Sequence, residues 1–104
     1  MKVKVIVTQE HAITSLRETA EGKSGCYCCP IHQAMRPLHE AAGGHLKDLF
    51  VIREAKGHVL LWQGGRVFLP PKAQNLAREW DGAGILKAKF VMDDTVEFEI
   101  EAPQ

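Results

Sequence analysis

The sequence predicts an α+β domain in which two to three short helices pack on a mainly antiparallel sheet of about five to six strands. Three observations lead to this fold class. Apolar residues alternate with polar ones in the first and last segments, as they do in half-buried strands. They recur at helical spacing in three segments between these ends, and glycine pairs or short polar loops separate neighbouring strand patterns. Because the chain has 104 residues, of which 45% are hydrophobic, we expect residues 1–104 to form a single domain.

The first strand and the first helix follow each other directly. One face of the strand is apolar and consists of Val3, Val5 and Val7. Thr8 has a side chain suited to a helix N-cap, and Glu10 lies in the first turn, where the helix dipole favours a carboxylate. From the apolar spacing, the inner face of this helix is predicted to consist of Ile13, Leu16 and Ala20.

A second helix is predicted to begin at Pro30, because proline is well tolerated at the first helical position. Pro37 interrupts the pattern, and its ring clashes with the preceding turn, so we expect a kink or a division into two short helices. Gly43 and Gly44 then end the helix. Its apolar stripe consists of Ile31, Ala34, Met35, Leu38 and Ala42.

The middle of the chain predicts three strands rich in β-forming residues, at 49–52, 58–62 and 66–69. Gly64 and Gly65 would form a two-residue hairpin turn that places Trp62 opposite Val67. Both faces of this hairpin are then apolar, so we expect it to be central to the core. After Pro70 a third helix is predicted, ending at Gly82 and burying Ala73, Leu76, Ala77 and Trp80.

The C-terminal segment predicts a second hairpin, with Asp93-Asp94-Thr95 as its loop. Opposite charges that face each other across two strands stabilise a sheet, and this register brings lysines opposite glutamates. The apolar pairs would be Met92 with Val96, Phe90 with Phe98, and Ala88 with Ile100. The charged pairs would be Lys89 with Glu99 and Lys87 with Glu101.

Charge and composition exclude several classes of protein. Thirteen basic residues balance thirteen acidic ones, which argues against direct binding of duplex nucleic acid, because phosphate contacts dominate that affinity. No segment has the ~20 apolar residues of a membrane span, and the apolar run after Met1 is too short for a signal peptide. The three cysteines lie together at positions 26, 28 and 29, which fits a reducing compartment. We therefore expect a cytoplasmic protein, monomeric or homodimeric, without membrane contact.

The cysteine cluster is the most unusual chemical feature and has three interpretations. Cys26 and Cys29 have the C-x-x-C spacing of zinc ligands, and His32 and His39 follow at helical spacing. Other candidates for the fourth ligand are Cys28, His11, His45 and His58. Cys29 at a helix start would also suit thiol redox chemistry, but such motifs usually follow a strand. Free cysteines are most often buried as small hydrophobes. We favour this last interpretation, so we predict no cofactor, with zinc as the alternative.

The remaining motifs indicate binding rather than catalysis. The sequence contains no G-x-S-x-G, P-loop or H-E-x-x-H motif, so no catalytic residue is assigned, and a small hydrolase or thiol enzyme is the least favoured class. Acidic residues gather at the predicted C-terminal hairpin: Asp93, Asp94, Glu97, Glu99 and Glu101. They form either a solvated outer strand whose charges protect a sheet edge, or a patch that meets a basic surface of a nucleic-acid-handling protein.

Four short motifs occur in an order that resembles a group of small bacteriophage proteins of unknown function. They are Thr8-Gln9-Glu10-His11, Cys29-Pro30-Ile31 with Ala34 and Arg36, Val67 to Leu69 with Pro70, and Trp80-Asp81-Gly82. The sequence departs from that pattern at His32-Gln33 and in a longer stretch before the cysteines. The resemblance implies expression inside a bacterial host.

The functional expectation combines these observations. We expect a non-enzymatic, phage-derived protein that binds and modulates a host protein, for example an anti-CRISPR or other anti-defence inhibitor. The alternative is a small zinc-stabilised domain that uses the cluster of Cys26 and Cys29 and binds nucleic acid.

Overall fold

The described part of the chain confirms the α+β class, with three helices and five strands in two antiparallel sheets. The computed structural model describes residues 2–23, 28–83, 90, 92 and 94–102. In chain order the elements are β1 (Lys2–Val7), α1 (Gln9–Ala20), α2 (Pro30–Ala41), a 3-10 turn (Leu46–Asp48), β2 (Phe50–Glu54), β3 (Gly57–Trp62), β4 (Gly65–Phe68), α3 (Pro71–Gly82) and β5 (Val96–Glu101). The strands thus form two small sheets rather than one.

The first sheet pairs the two ends of the described chain, β1 with β5. Its register places Lys4 opposite Glu99 and Lys2 opposite Glu101. Lysines therefore lie opposite glutamates of β5, as predicted, but they belong to β1 and not to the predicted partner strand. Most of the predicted partner, 87–91, lies outside the described residues, as does Asp93 of the predicted loop. Phe90 and Met92 are described and buried but belong to no strand, so their predicted pairs with Phe98 and Val96 are wrong.

The second sheet has the order β2-β3-β4, and its second turn differs from the prediction. Gln63 and Gly64 form this turn, with φ angles of 51° and 73°, which is the left-handed conformation of a type I′ hairpin. Gly65 is therefore the first residue of β4 and pairs with Trp62. The predicted register is displaced by two residues, a shift that leaves every side chain on its predicted face. β3 is central and well buried, whereas Phe68 on β4 is 50% exposed.

Helix α1 begins as predicted but presents a different face to the core. The Thr8 side chain accepts a hydrogen bond from the backbone N–H of His11, whose ring in turn accepts one from the Thr8 backbone N–H. Of the predicted inner face, Leu16 is partly buried and packs against the core, whereas the prediction is wrong for Ile13, which is 57% exposed, and for Ala20, which is also exposed. The residues that α1 buries are Ala12, Ser15 and Glu18.

Helices α2 and α3 form the inner layer against both sheets. α2 continues as one helix across the exposed Pro37, so the division into two helices does not occur. Of its predicted stripe, Ala42 is exposed, because the helix has already ended there. The predicted face of α3 is confirmed, since all four of its residues are buried. Trp62 and Trp80 are each 1% exposed and belong to a core cluster that includes residues of both sheets.

Candidate functional site

A buried ion pair joins α1 to α2. The Arg36 guanidinium donates two hydrogen bonds to the Glu18 carboxylate, Nη1 to Oε2 at 2.8 Å and Nη2 to Oε1 at 2.6 Å. Gln33 donates a third, from Nε2 to Oε1 at 3.0 Å, and the Lys23 ammonium lies 3.8 Å from Oε2. Glu18 is only 7% exposed, so these partners replace the water that it loses on folding.

The electrostatics of Glu18 follow from this geometry. The hydrogen bond from Arg36 is the largest influence and lowers the pKa of Glu18 to about 2, against the opposing effect of burial. The same contact raises the pKa of Arg36. Both groups are therefore charged at neutral pH. They form a bidentate ion pair with two parallel hydrogen bonds, which is among the strongest polar contacts in proteins.

His32 continues this network towards β2. Its Nδ1 accepts a hydrogen bond from Arg36 Nε at 3.1 Å, so its Nε2 carries the proton that is donated to the carbonyl oxygen of Leu49 at 2.9 Å. Burial, followed by the charge of Arg36, lowers the pKa of His32 to about 4. Both ring nitrogens are engaged, and the imidazole is neutral at physiological pH.

The two described cysteines are buried and contribute to local structure. Cys29 is the N-cap of α2, where its Sγ accepts a hydrogen bond from the backbone N–H of His32 at 3.4 Å. Burial raises the pKa of the Cys29 thiol to about 12, which keeps it protonated. Cys28 Sγ lies 3.3 Å from Thr19 Oγ1 and donates to the Lys23 carbonyl oxygen at 3.7 Å. Neither thiol has the exposed, electropositive setting of a reactive cysteine.

The predicted zinc ligands do not converge in the described part of the chain. Cys26 lies outside the described residues. His39 is directed elsewhere, because its Nε2 contacts the His45 carbonyl oxygen at 2.8 Å and its Nδ1 accepts from the Gln63 backbone N–H at 3.4 Å. No group of three or more histidine, cysteine, aspartate or glutamate residues among those described could hold a metal ion. Within the described residues, Cys29 Sγ and both ring nitrogens of His32 contact protein groups.

A second polar cluster surrounds His58 near the start of β3. Its Nε2 lies 2.6 Å from Asp81 Oδ2 of α3, while its buried Nδ1 has no hydrogen-bond partner among the described residues. The Gln74 side chain accepts from the His58 backbone N–H at 2.7 Å and donates to the carbonyl oxygens of His58 and Leu69. Gln74 therefore fastens α3 to the sheet and uses its whole amide to do so.

A basic cleft opens beside this cluster, with a volume of about 400 Å³. It lies between the β2–β3 turn, the end of β4 and α3. Three cations line it, one from each of β2, the turn and α3: Arg53, Lys56 and Arg78. The half-exposed Phe68 and the buried His58 also line it. We call this arrangement the basic cleft.

The cations of the basic cleft are available to a ligand. In the described part of the chain the side chains of Arg53 and Lys56 form no ion pair, and Arg78 donates only to the side chain of Asn75. Glu54 is the one acid among the described lining residues, and Arg66 from β4 pairs with it. The cleft therefore presents uncompensated positive charge beside an exposed aromatic ring.

The predicted acidic surface is found on β5 in a different environment. Glu97, Glu99 and Glu101 share the outer face of the first sheet and are exposed, and Asp94 is also exposed. Lysines of β1 lie across from this strand, and Lys4 Nζ is 3.5 Å from Glu97 Oε2. Lys72 of α3 borders the same strand. The surface is therefore of mixed charge, which weakens it as an acidic docking patch.

No family model, curated protein or solved structure matches this chain. None of the helices in the described ranges has both the length and the apolar character needed to cross a bilayer. Inference about function therefore depends on the residues of this chain.

Sequence reasoning did not predict the basic cleft. Its cations are separated along the chain and follow no motif, so they share a surface only in the folded protein. One signal was present. Residues two apart on a strand point to the same face, so Phe68 shares the face of the polar Arg66, which suggests that this face of the strand is exposed.

Proposed function

We propose that this protein acts without catalysis, by binding another protein through the basic cleft. The observation that carries the proposal is the set of unpaired cations beside the half-exposed Phe68. Arginine and aromatic side chains are enriched where proteins recognise one another. Cations that lie together without partners do not stabilise the folded chain by themselves. An acidic group on a binding partner would neutralise their charge.

The state of the reactive side chains supports a non-enzymatic role. The Cys29 thiol is buried, and its high pKa makes it a poor nucleophile. His32 is neutral with both nitrogens engaged, so it is not placed to accept a proton from a substrate. Their hydrogen bonds stabilise the junction of α1, α2 and β2.

We infer further that the partner is a protein of a bacterial host and that binding modulates it. The resemblance of the four motifs to small phage proteins supports this setting, and an anti-CRISPR or other anti-defence inhibitor is the specific form that we favour. Small size and the absence of catalytic motifs in the sequence fit inhibition by occupancy. The cytoplasm of the host cell is then the site of action.

The test is affinity capture from bacterial lysates with matched charge variants. The bait is the wild-type protein, and the cleft variant carries Arg53→Glu and Arg78→Glu. A control variant carries Arg17→Glu, which reverses an exposed arginine on α1. The proposal expects a host protein that is retained by the wild type and by the control but not by the cleft variant. If the same proteins are retained by all three baits, or none is retained by any, the basic cleft is not the binding surface.

A further inference from the structure

We propose that the basic cleft recognises an acidic peptide segment that carries an apolar side chain, with carboxylates on the cations and the apolar group on Phe68. This inference rests on the proposed function and names the chemistry of the partner. It follows from the charge of the cleft and from the exposed aromatic residue in its wall.

The positive charge comes from three separate elements. Arg53 lies on β2, Lys56 in the turn that follows it, and Arg78 on α3. Cations from separate elements match carboxylates that are spread along a segment of chain better than a single compact anion. Arginine adds specificity, because its planar guanidinium pairs with a carboxylate through two parallel hydrogen bonds.

Phe68 supplies the apolar part of the cleft. Its ring is 50% exposed although it belongs to a strand, and it lies among the cations that line the same opening. Covering the ring with an apolar side chain would remove that surface from water. A ligand that carried only charge would leave this surface uncovered.

Single-stranded nucleic acid is the competing ligand for a basic groove with an aromatic ring. Such sites normally stack successive bases on several aromatic side chains along a positively charged track. Phe68 is the one aromatic residue among the described residues that line the cleft. The chain also has no net charge, and nucleic-acid-binding domains are typically basic. The acidic peptide is therefore the ligand that the observations favour.

The test measures fluorescence anisotropy with labelled peptides in which several aspartates and glutamates flank one phenylalanine or leucine. Matched peptides have asparagine and glutamine in place of the acids, or serine in place of the apolar residue. An oligothymidine of similar length is the nucleic-acid probe. The proteins are the wild type, R53A/R78A, F68A and the control R17A, each checked for folding by circular dichroism and thermal unfolding.

We expect the acidic, apolar peptide to bind the wild type and R17A equally. Loss of both arginines weakens binding about tenfold, which corresponds to two exposed ion pairs, and F68A weakens it several-fold. The amide peptide and the serine peptide bind more weakly than the parent, and added salt lowers the affinity of the parent peptide.

Three results would overturn the inference: no peptide binds, the cleft variants bind as well as the wild type, or oligothymidine binds more tightly and displaces the peptide. The two proposals fail separately. A host protein captured through the cleft, without any affinity for acidic peptides, would leave the proposed function intact and reject this ligand class. Peptide binding at the cleft, with no host protein captured, would reject the proposed function instead.

Discussion

Replacing Arg36 with alanine tests the buried ion pair that joins α1 to α2. The change removes the two shortest hydrogen bonds to the Glu18 carboxylate, and Glu18 is only 7% exposed in the native protein. Gln33 and the more distant Lys23 would remain as its partners. A charge that has lost its main partner inside a protein costs several kcal/mol.

The magnitude follows from the pKa of Glu18. Its fall from 4.5 to about 2 corresponds to about 3 kcal/mol of stability at pH 7. Because the pKa is lower in the folded state, this contribution is fully present above pH 4.5 and is lost as the pH falls towards 2. At pH 3 about 1 kcal/mol of it remains. We therefore expect R36A to be destabilised by about 3 kcal/mol at pH 7 and by about 1 kcal/mol at pH 3.

Urea unfolding followed by tryptophan fluorescence measures this difference, because Trp62 and Trp80 are both buried. The control is R17A on the exposed side of α1, for which a change within about 0.5 kcal/mol is expected. In the E18Q background, the cost of R36A should fall, since no buried charge is left unpaired. A loss below about 1 kcal/mol at pH 7, or an equal loss at both pH values, would refute the reasoning.

Three further predictions follow from single contacts. Gly44→Ala should destabilise the protein by about 1–3 kcal/mol in urea unfolding, because the added Cβ would overlap the buried His39 ring; an unchanged midpoint would contradict that packing. Cys29 should resist iodoacetamide in the native protein at pH 8 and react in urea, as its pKa of about 12 and its burial require; mass spectrometry measures the labelling, and equal rates would contradict the assignment. Glu99→Lys should cost about 0.5–1 kcal/mol by placing a like charge opposite Lys4, whereas Glu99→Gln should cost less.

The sequence predicted local structure well where one short segment contains the whole signal. Thr8 caps α1 because its side chain reaches an N–H of the next turn, and that contact needs no distant residue. The inner face of α3 is equally local, since its four buried residues repeat at helical spacing. A two-residue turn between β3 and β4 was predicted correctly, but its position was wrong by one residue. Gly64 can form such a turn with either Gln63 or Gly65, and the structure uses Gln63.

The buried face of α1 shows why pattern reasoning failed elsewhere. Apolar spacing favoured Ile13, yet the helix buries Glu18 and leaves Ile13 exposed. A glutamate can be buried when a guanidinium meets it, and here that group is Arg36, 18 residues later in the chain. The sequence of α1 does not contain that partner, so apolar spacing within the helix could not predict the burial of Glu18.

The partner of β5 was ambiguous for a related reason. Lysines alternate with apolar residues in two segments, at positions 2 and 4 and again at 87 and 89. Either segment satisfies the rule that opposite charges face each other across strands, and proximity along the chain favoured the second. In the structure β1 pairs with β5 along its whole length, which joins the first strand to the last.

The sequence by itself determined the α+β class, most helix and strand positions, the apolar face of α3 and the burial of both tryptophans. These features depend on periodicity and capping, which are properties of neighbouring residues. Tertiary structure decided the pairing of β1 with β5, the burial of Glu18 and the assembly of the basic cleft from Arg53, Lys56, Phe68 and Arg78. Each of these depends on residues far apart in the chain, whose contacts are favourable only after the sheets and helices have packed, and no local pattern records them.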